Sequence, residues 1–155
     1  MARSSILLLA LCVPLVLCAN SHSHGHHGHA VDYTHYVDEL WTNVNYDHDT
    51  LHFTTVELHD FLVFADTNKD GSITRHEYVT AATKDAPDLT AFSHGLFDTF
   101  DANNDHHLTL DDTTALYDRM DSDGDGFITK PEFYTFWTNV LTSLAHTHGN
   151  GNLLG

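Results

Sequence analysis

The stretch Asp121-Ser122-Asp123-Gly124-Asp125-Gly126-Phe127-Ile128-Thr129-Lys130-Pro131-Glu132 sets carboxylates at its first, third, fifth and twelfth positions and glycine at its sixth. Oxygen side chains on alternate residues of a tight loop can face one centre, which is the donor chemistry that hard divalent cations take. Gly126 stands where such a loop must turn through left-handed backbone, and Ile128 is placed for a short strand contact. The pattern occurs twice. Asp66 and Asp121 are 55 residues apart, as are Ile73 and Ile128, Glu77 and Glu132, and Phe53 and Leu108. A fixed spacing of this kind marks an internal duplication.

Both segments match the 12-residue calcium loop of the EF-hand superfamily at every diagnostic position, and the chain resembles that superfamily over roughly Val31 to Leu144. The resemblance implies helix-loop-helix units with side-chain oxygens from Asp121, Asp123 and Asp125, the carbonyl of Phe127, a water contact at Thr129 and both carboxylate oxygens of Glu132. In the earlier loop the same roles fall on Asp66, Asn68, Asp70, the Ser72 carbonyl, Thr74 and Glu77. That loop offers fewer carboxylates and carries Lys69 and Arg75, so weaker binding is expected there.

A third loop keeps Asp101, Asn103 and Asp105, with His107 and Thr109 at its seventh and ninth positions, but has His106 for the glycine and Asp112 for the glutamate. A non-glycine residue at positive φ is strained, and the shorter Asp112 reaches an ion less easily, so this site is expected to be weak or magnesium-like. The segment Tyr46 to Glu57 aligns with this loop but has Tyr46, His48 and Thr50 at its first three ligand positions. It reads as a metal-free hand. Two calcium sites are expected, with the third loop left open.

The fold class expected is all-α: a duplicated pair of EF hands with short inter-loop helices, over residues 31–82 and 91–144. Eight residues separate Glu57 from Asp66 and Asp112 from Asp121, so one helix of two or three turns must serve two loops. Phe61, Leu62 and Phe64, and Leu116, Tyr117 and Met120, give those helices their buried sides. Tyr33, Val37, Leu40, Trp41 and Val44 recur at helical period in the first helix, as do Phe92, Leu96 and Phe100 in its counterpart. The last helix carries Phe133, Phe136, Trp137, Val140, Leu141 and Leu144, a stripe expected to close the core, the alternative being a binding face. A loop at each end of a shared helix cannot pair with its own neighbour, and Ile73 is expected to pair with Ile128 across the halves. In the linker 83–90, Pro87 stops a helix and Asp88 or Thr90 is expected to cap the next.

Composition sets the context. Arg3 before the apolar run Ile6 to Leu17 reads as a signal peptide over residues 1–19, too short to span a bilayer, where about 20 apolar residues are needed. Secretion to an extracellular location is expected, with no transmembrane segment. Both cysteines lie in that leader, so the secreted chain has no disulfide, and metal is the expected supplement to its core. With 22 acidic residues against 6 basic, one of them Arg3, nucleic acid is an unsuited partner, and bound cations would relieve the repulsion.

Histidines crowd the segment 20–30, at His22, His24, His26, His27 and His29, and recur at His146 and His148. Such a tract cannot pack and is expected to be disordered, as is a tail over 145–155. Neutral imidazoles suit copper, nickel and zinc, and cleavage after Ala19 would expose Asn20, Ser21 and His22 as a square-planar nitrogen set for copper(II) or nickel(II). The alternative is a pH-responsive solubilising tail.

Signal, acidic core and histidine tract are similar to secreted EF-hand proteins of invertebrate extracellular matrix, including calcified shell. The resemblance implies a calcium-binding matrix or buffer protein whose partners are calcium, matrix proteins or a mineral surface. A calcium sensor that exposes an apolar groove is the competing class, disfavoured by a content of two methionines. No nucleophile motif appears outside the acidic clusters, and an enzyme is not expected.

Overall fold

The computed structural model describes residues 33–45 and 53–149. The leader, the histidine tract, Tyr46, His48 and Thr50, and the side chains of Phe61, His146 and His148 lie outside them. The elements are α1 (Thr34–Val44), α2 (Thr55–Val63), β1 (Ile73–Thr74), α3 (Arg75–Thr83), a 3-10 turn (Pro87–Leu89), α4 (Thr90–Phe100), β2 (His107–Leu108), α5 (Leu110–Met120) and α6 (Lys130–Gly149). The fold is all-α, and among the described residues an entering helix, a shared helix, a loop and a following helix recur in each half. The shared helices α2 and α5 have nine and eleven residues. Helix α6 continues to Gly149, through the first residues of the expected tail.

The starts of the helices behind the loops follow from one local pattern. Thr54 with Glu57, Thr74 with Glu77, and Thr109 with Asp112 form capping boxes at α2, α3 and α5. Each satisfies amide groups that a helix start leaves without partners, and losing such a cap typically costs ~1 kcal/mol. Pro131 sits in the first turn of α6, where its missing N–H removes no helical bond. The linker departs from expectation: neither Asp88 nor Thr90 caps α4. The 3-10 turn runs directly into the helix, the buried Leu89 occupies the cap position, and the Thr90 hydroxyl donates to the Pro87 carbonyl at 2.7 Å.

Loop pairing does cross between the halves, but Ile73 does not meet Ile128. Ile73 pairs antiparallel with Leu108, and Phe53 bridges to Ile128 with its N–H donating to the Ile128 carbonyl at 2.9 Å. Phe53 is the repeat equivalent of Leu108, so the two contacts are one contact seen from each half, as in an isologous interface. Across a two-fold axis, residue i meets j and j meets i. An Ile73–Ile128 pair would have to lie on that axis, where helices α2 and α5 pack against each other instead. The same relation sets α3 of one half on α4 of the other, and α1 on α6.

The expected apolar stripes are buried, including Val37, Leu40, Trp41, Phe92, Leu96, Phe100, Leu116, Met120, Phe133 and Trp137, while Phe64, Phe136 and Val140 pack half-buried at the margin. Trp41, Phe53 and Phe133 form a ring cluster with centroids 5.1 to 6.3 Å apart. Tyr78 meets Phe97 and Phe100 edge-on, both at 5.8 Å. Fully burying one such side chain contributes about 1.5–3 kcal/mol, so this core carries most of the stability.

Candidate calcium-binding loops

Three loops repeat one hydrogen-bond scaffold. In 121–132, Asp121 Oδ1 accepts from the N–H groups of Gly124 and Asp125, at 2.9 and 3.2 Å, and Oδ2 accepts from Gly126 at 2.9 Å. In 66–77, Asp66 accepts from Lys69, Asp70 and Gly71. In 101–112, Asp101 accepts from Asp105 and His106. The third-position oxygen of Asn68, Asn103 or Asp123 accepts from the fifth N–H, and Asp70, Asp105 or Asp125 accepts from the seventh. The backbone thus folds around its own acidic side chains and holds their oxygens inward.

The turns need left-handed backbone at two positions in each loop. Gly71, His106 and Gly126 have φ of 83°, 69° and 89°, as expected for the sixth position. The fourth position is also left-handed, at Lys69, Asn104 and Gly124 with φ of 61°, 60° and 72°. Sequence reading missed this second requirement, since lysine gives no sign of it. Asn104 and Gly124, by contrast, are types that tolerate it.

At the twelfth position the acid closes the loop. Glu132 Oε2 accepts from the Thr129 N–H at 2.9 Å and hydroxyl at 2.7 Å, while Oε1 accepts from the Ser122 N–H and hydroxyl, both at 2.9 Å. Glu77 does the same with Thr74 and Thr67, and Asp112 with Thr109 and the Ala102 N–H. The ninth-position threonines therefore have a structural part, tying each final acid to a helix start. Thr54 and Glu57 retain this tie in the degenerate loop, although Glu57 is buried.

These contacts set the charge state. Partial burial pushes the Glu132 carboxyl up, but the hydrogen bonds from Thr129 and Ser122 outweigh it and bring it down to about 2. The Thr74 backbone and hydroxyl hold the Glu77 carboxyl below its ordinary value. Both acids remain ionised at any physiological pH, the state in which a carboxylate can hold a cation.

Among the described residues, ligand atoms of Asp121, Asp123 and Glu132 all lie within 4.8 Å of one another. That separation and the all-oxygen donor set fit a hard divalent cation, with the Phe127 carbonyl and Asp125 available to complete the shell. In the other loops Asn68 and Asn103 supply amide oxygens, so acidic groups alone do not close a comparable set among the described residues. Calcium there would be held by Asp66, Asn68, Asp70, the Ser72 carbonyl and Glu77. In 101–112 it would be held by Asp101, Asn103, Asp105, the His107 carbonyl and Asp112.

Arg75 departs from expectation. Its guanidinium is engaged by Asp98 and lies 4.4 Å from the centre of the Phe97 ring, so its charge is compensated on α4. Lys130, at the same loop position, pairs with Asp38 on α1 at 2.7 Å and lies over the Tyr134 ring. These tenth-position cations fasten each loop to the entering helix of the other half.

The family model for the EF hand matches residues 58–80 and 118–137, each spanning a shared helix's end, one strong loop and the start of the following helix. No curated protein and no solved structure matches the chain. Among the described residues no helix is long and apolar enough to cross a membrane. On an all-α EF-hand fold, with acidic oxygens converging in 121–132, the two matches support kinship of these segments with the EF hand and, with it, calcium binding.

Proposed function

We propose that the protein is a secreted, non-enzymatic calcium binder that serves as an extracellular matrix or buffer component. The observation that carries this reading is the single oxygen scaffold repeated in loops 66–77, 101–112 and 121–132. A net charge of -16 with histidine neutral gives calcium a global as well as a local reason to bind. The proposal includes the third loop as a weaker site, because Asp112 makes the same closing contacts as Glu77 and Glu132. Extracellular hands bind at about 0.1–1 mM, where ambient calcium keeps them filled. At calcium ten times Kd each site then contributes about 1.4 kcal/mol to stability.

The packing supports a structural part more than a sensing one. The large apolar side chains of the described residues are mainly enclosed, leaving Val56, Val63, Leu110 and Phe127 exposed. Calorimetric titration of the secreted chain with calcium, alongside Glu77→Gln and Glu132→Gln variants, tests the reading. Two or three sites near 0.1–1 mM, one lost per substitution and with helix gained on binding, are expected. Micromolar sites on a chain whose dye-accessible apolar surface rises with calcium would overturn it in favour of a sensor. The signal and the histidine tract enter as proposals of their own: mass spectrometry of the secreted N-terminus should find Asn20 first, and copper(II) should then bind at Asn20, Ser21 and His22.

A further inference from the structure

Tyr117 lies on α5, four residues before Asp121, with a ring buried to 8 % exposure. Its hydroxyl is 3.0 Å from the Gly126 carbonyl and 3.2 Å from the Phe53 carbonyl. The first belongs to the calcium loop and the second to the degenerate loop bridged to it. A peptide unit is planar, so the Gly126 carbonyl and the Phe127 N–H move together. The N–H end of that plane donates to Asp125 Oδ1 at 2.9 Å. The plane is thus held at one end by a ligand carboxylate and at the other by the phenol. It leads directly to the Phe127 carbonyl, an oxygen that the ion requires.

The repeat supplies an internal control. Leu62 stands 55 residues before Tyr117 and has no hydroxyl to reach the Gly71 and Leu108 carbonyls, the equivalents of Gly126 and Phe53. At that place the protein has a small cavity of ≈ 60 Å³, lined among others by Leu62, Gly71, Ile73 and Leu108. These four are the repeat equivalents of Tyr117, Gly126, Ile128 and Phe53, so the cavity borders the shorter side chain at the equivalent place.

We propose that Tyr117 is a positioning residue for the 121–132 site: its hydroxyl sets the Gly126–Phe127 peptide for ligation and couples that loop to Phe53 in the metal-free hand. This rests on the calcium reading of the loop. The test is Tyr117→Phe, which removes the hydroxyl and keeps the ring. Calcium is titrated into the secreted chain while the amide signals of Gly126, Gly71 and His106 report the three loops separately by nuclear magnetic resonance. Loss of one hydrogen bond of ordinary strength corresponds to about a three- to tenfold rise in Kd. That rise is expected at Gly126, with faster calcium release, and less than about a twofold change at Gly71, since ordinary hydrogen-bond strength is lost at only one loop. A purely structural part for Tyr117 would weaken all responding loops alike, and that outcome overturns the proposal, as does an unchanged Kd at Gly126. A Gly126 amide that ignores calcium in the unaltered chain overturns the calcium reading itself, which separates the two failures.

Discussion

The two cross-half loop pairs share a register and differ in content. Loop 66–77 meets 101–112 through Ile73 and Leu108, and both members carry oxygen residues at the ligand positions. Loop 121–132 meets the end of 46–57 through Ile128 and Phe53, and only 121–132 has carboxylate or amide residues at its first three ligand positions. The pair with one ligand set is braced by side chains: the Tyr117 hydroxyl between two carbonyls, and Phe53 in a ring cluster with Trp41 and Phe133. The pair with two sets has a leucine and a cavity at the corresponding place. Beside the loop whose partner lacks those acidic and amide residues, aromatic side chains pack the contact. The contact through Phe53 is the support that 46–57 gives its neighbour among the described residues.

The largest effect should come from removing that support. Phe53 is 1 % exposed, and Phe53→Ala should destabilise the protein by about 3–5 kcal/mol in denaturant unfolding, the usual cost of emptying an aromatic core position. It should also weaken calcium binding at 121–132 more than at 66–77, although Phe53 lies in a loop with no expected ligand. Equal weakening at both loops would break the comparison, because the two pairs would then be one mechanical unit.

A pH titration of the calcium-free protein comes next in size. The Glu132 carboxyl is lowered from an ordinary 4.5 to about 2 in the folded chain, so its stabilisation is complete above about 4.5 and is lost as pH falls through about 2. Glu77 is shifted the same way. The loss at Glu132 should be on the order of 1–2 kcal/mol, because solvent screens a partly exposed acid. Glu132→Gln should flatten that limb of the stability curve, and an unflattened curve would assign the acid sensitivity to other groups.

Much of this was legible in the sequence, and the reasons for the rest are local. The loop boundaries, the 55-residue repeat and the shared helices follow from spacing, which a chain of fixed geometry must obey. The identity of the loop partners does not. Ile73, Leu108, Ile128 and Phe53 all present an apolar residue at the eighth position, and only the two-fold arrangement of the helices decides which of them meet. The left-handed backbone at Lys69 was hidden because the side chain gives no hint of it, whereas His106 stood out against a glycine pattern. The compensation of Arg75 by Asp98 joins residues on different helices, and no local pattern encodes it. The Tyr117 contact with Phe53 spans 64 residues and appears only once the halves are packed.

His106 and Asp112 allow a smaller test within the pair that holds two ligand sets. His106→Gly removes a side chain from φ 69° and should stabilise the chain by about 0.5–1 kcal/mol, net of the added freedom of the unfolded state. Asp112→Glu in the same background restores the longer acid and should shift loop 101–112 from a weak or magnesium-like site toward calcium. Competition calorimetry with magnesium reads this change. A double variant that still prefers magnesium would place the weakness of the loop elsewhere in its ligand set.

The smallest expected effect is also the most direct exchange between the two sides, Leu62→Tyr. Leu62 is 2 % exposed and borders the cavity, so a tyrosine ring has space to enter with little displacement of Ile73 or Leu108. Overpacking would oppose the change and one new hydrogen bond would favour it, leaving a net stability change within about 1 kcal/mol. The informative quantity is calcium affinity at the loop. If a phenol at this point of the fold orients the sixth-to-seventh peptide, Kd at 66–77 should tighten by about two- to threefold, the share of one ordinary hydrogen bond that survives the packing cost. Affinity at 121–132 should not move. The Gly71 amide reports the first and the Gly126 amide the second. Tightening at Gly71 alone would transfer the property of one half to the other by a single side chain. A folded variant with the ring in the cavity and no change at Gly71 would mean that Tyr117 depends on Phe53, and that the aromatic neighbourhood of the metal-free hand is what makes the phenol effective.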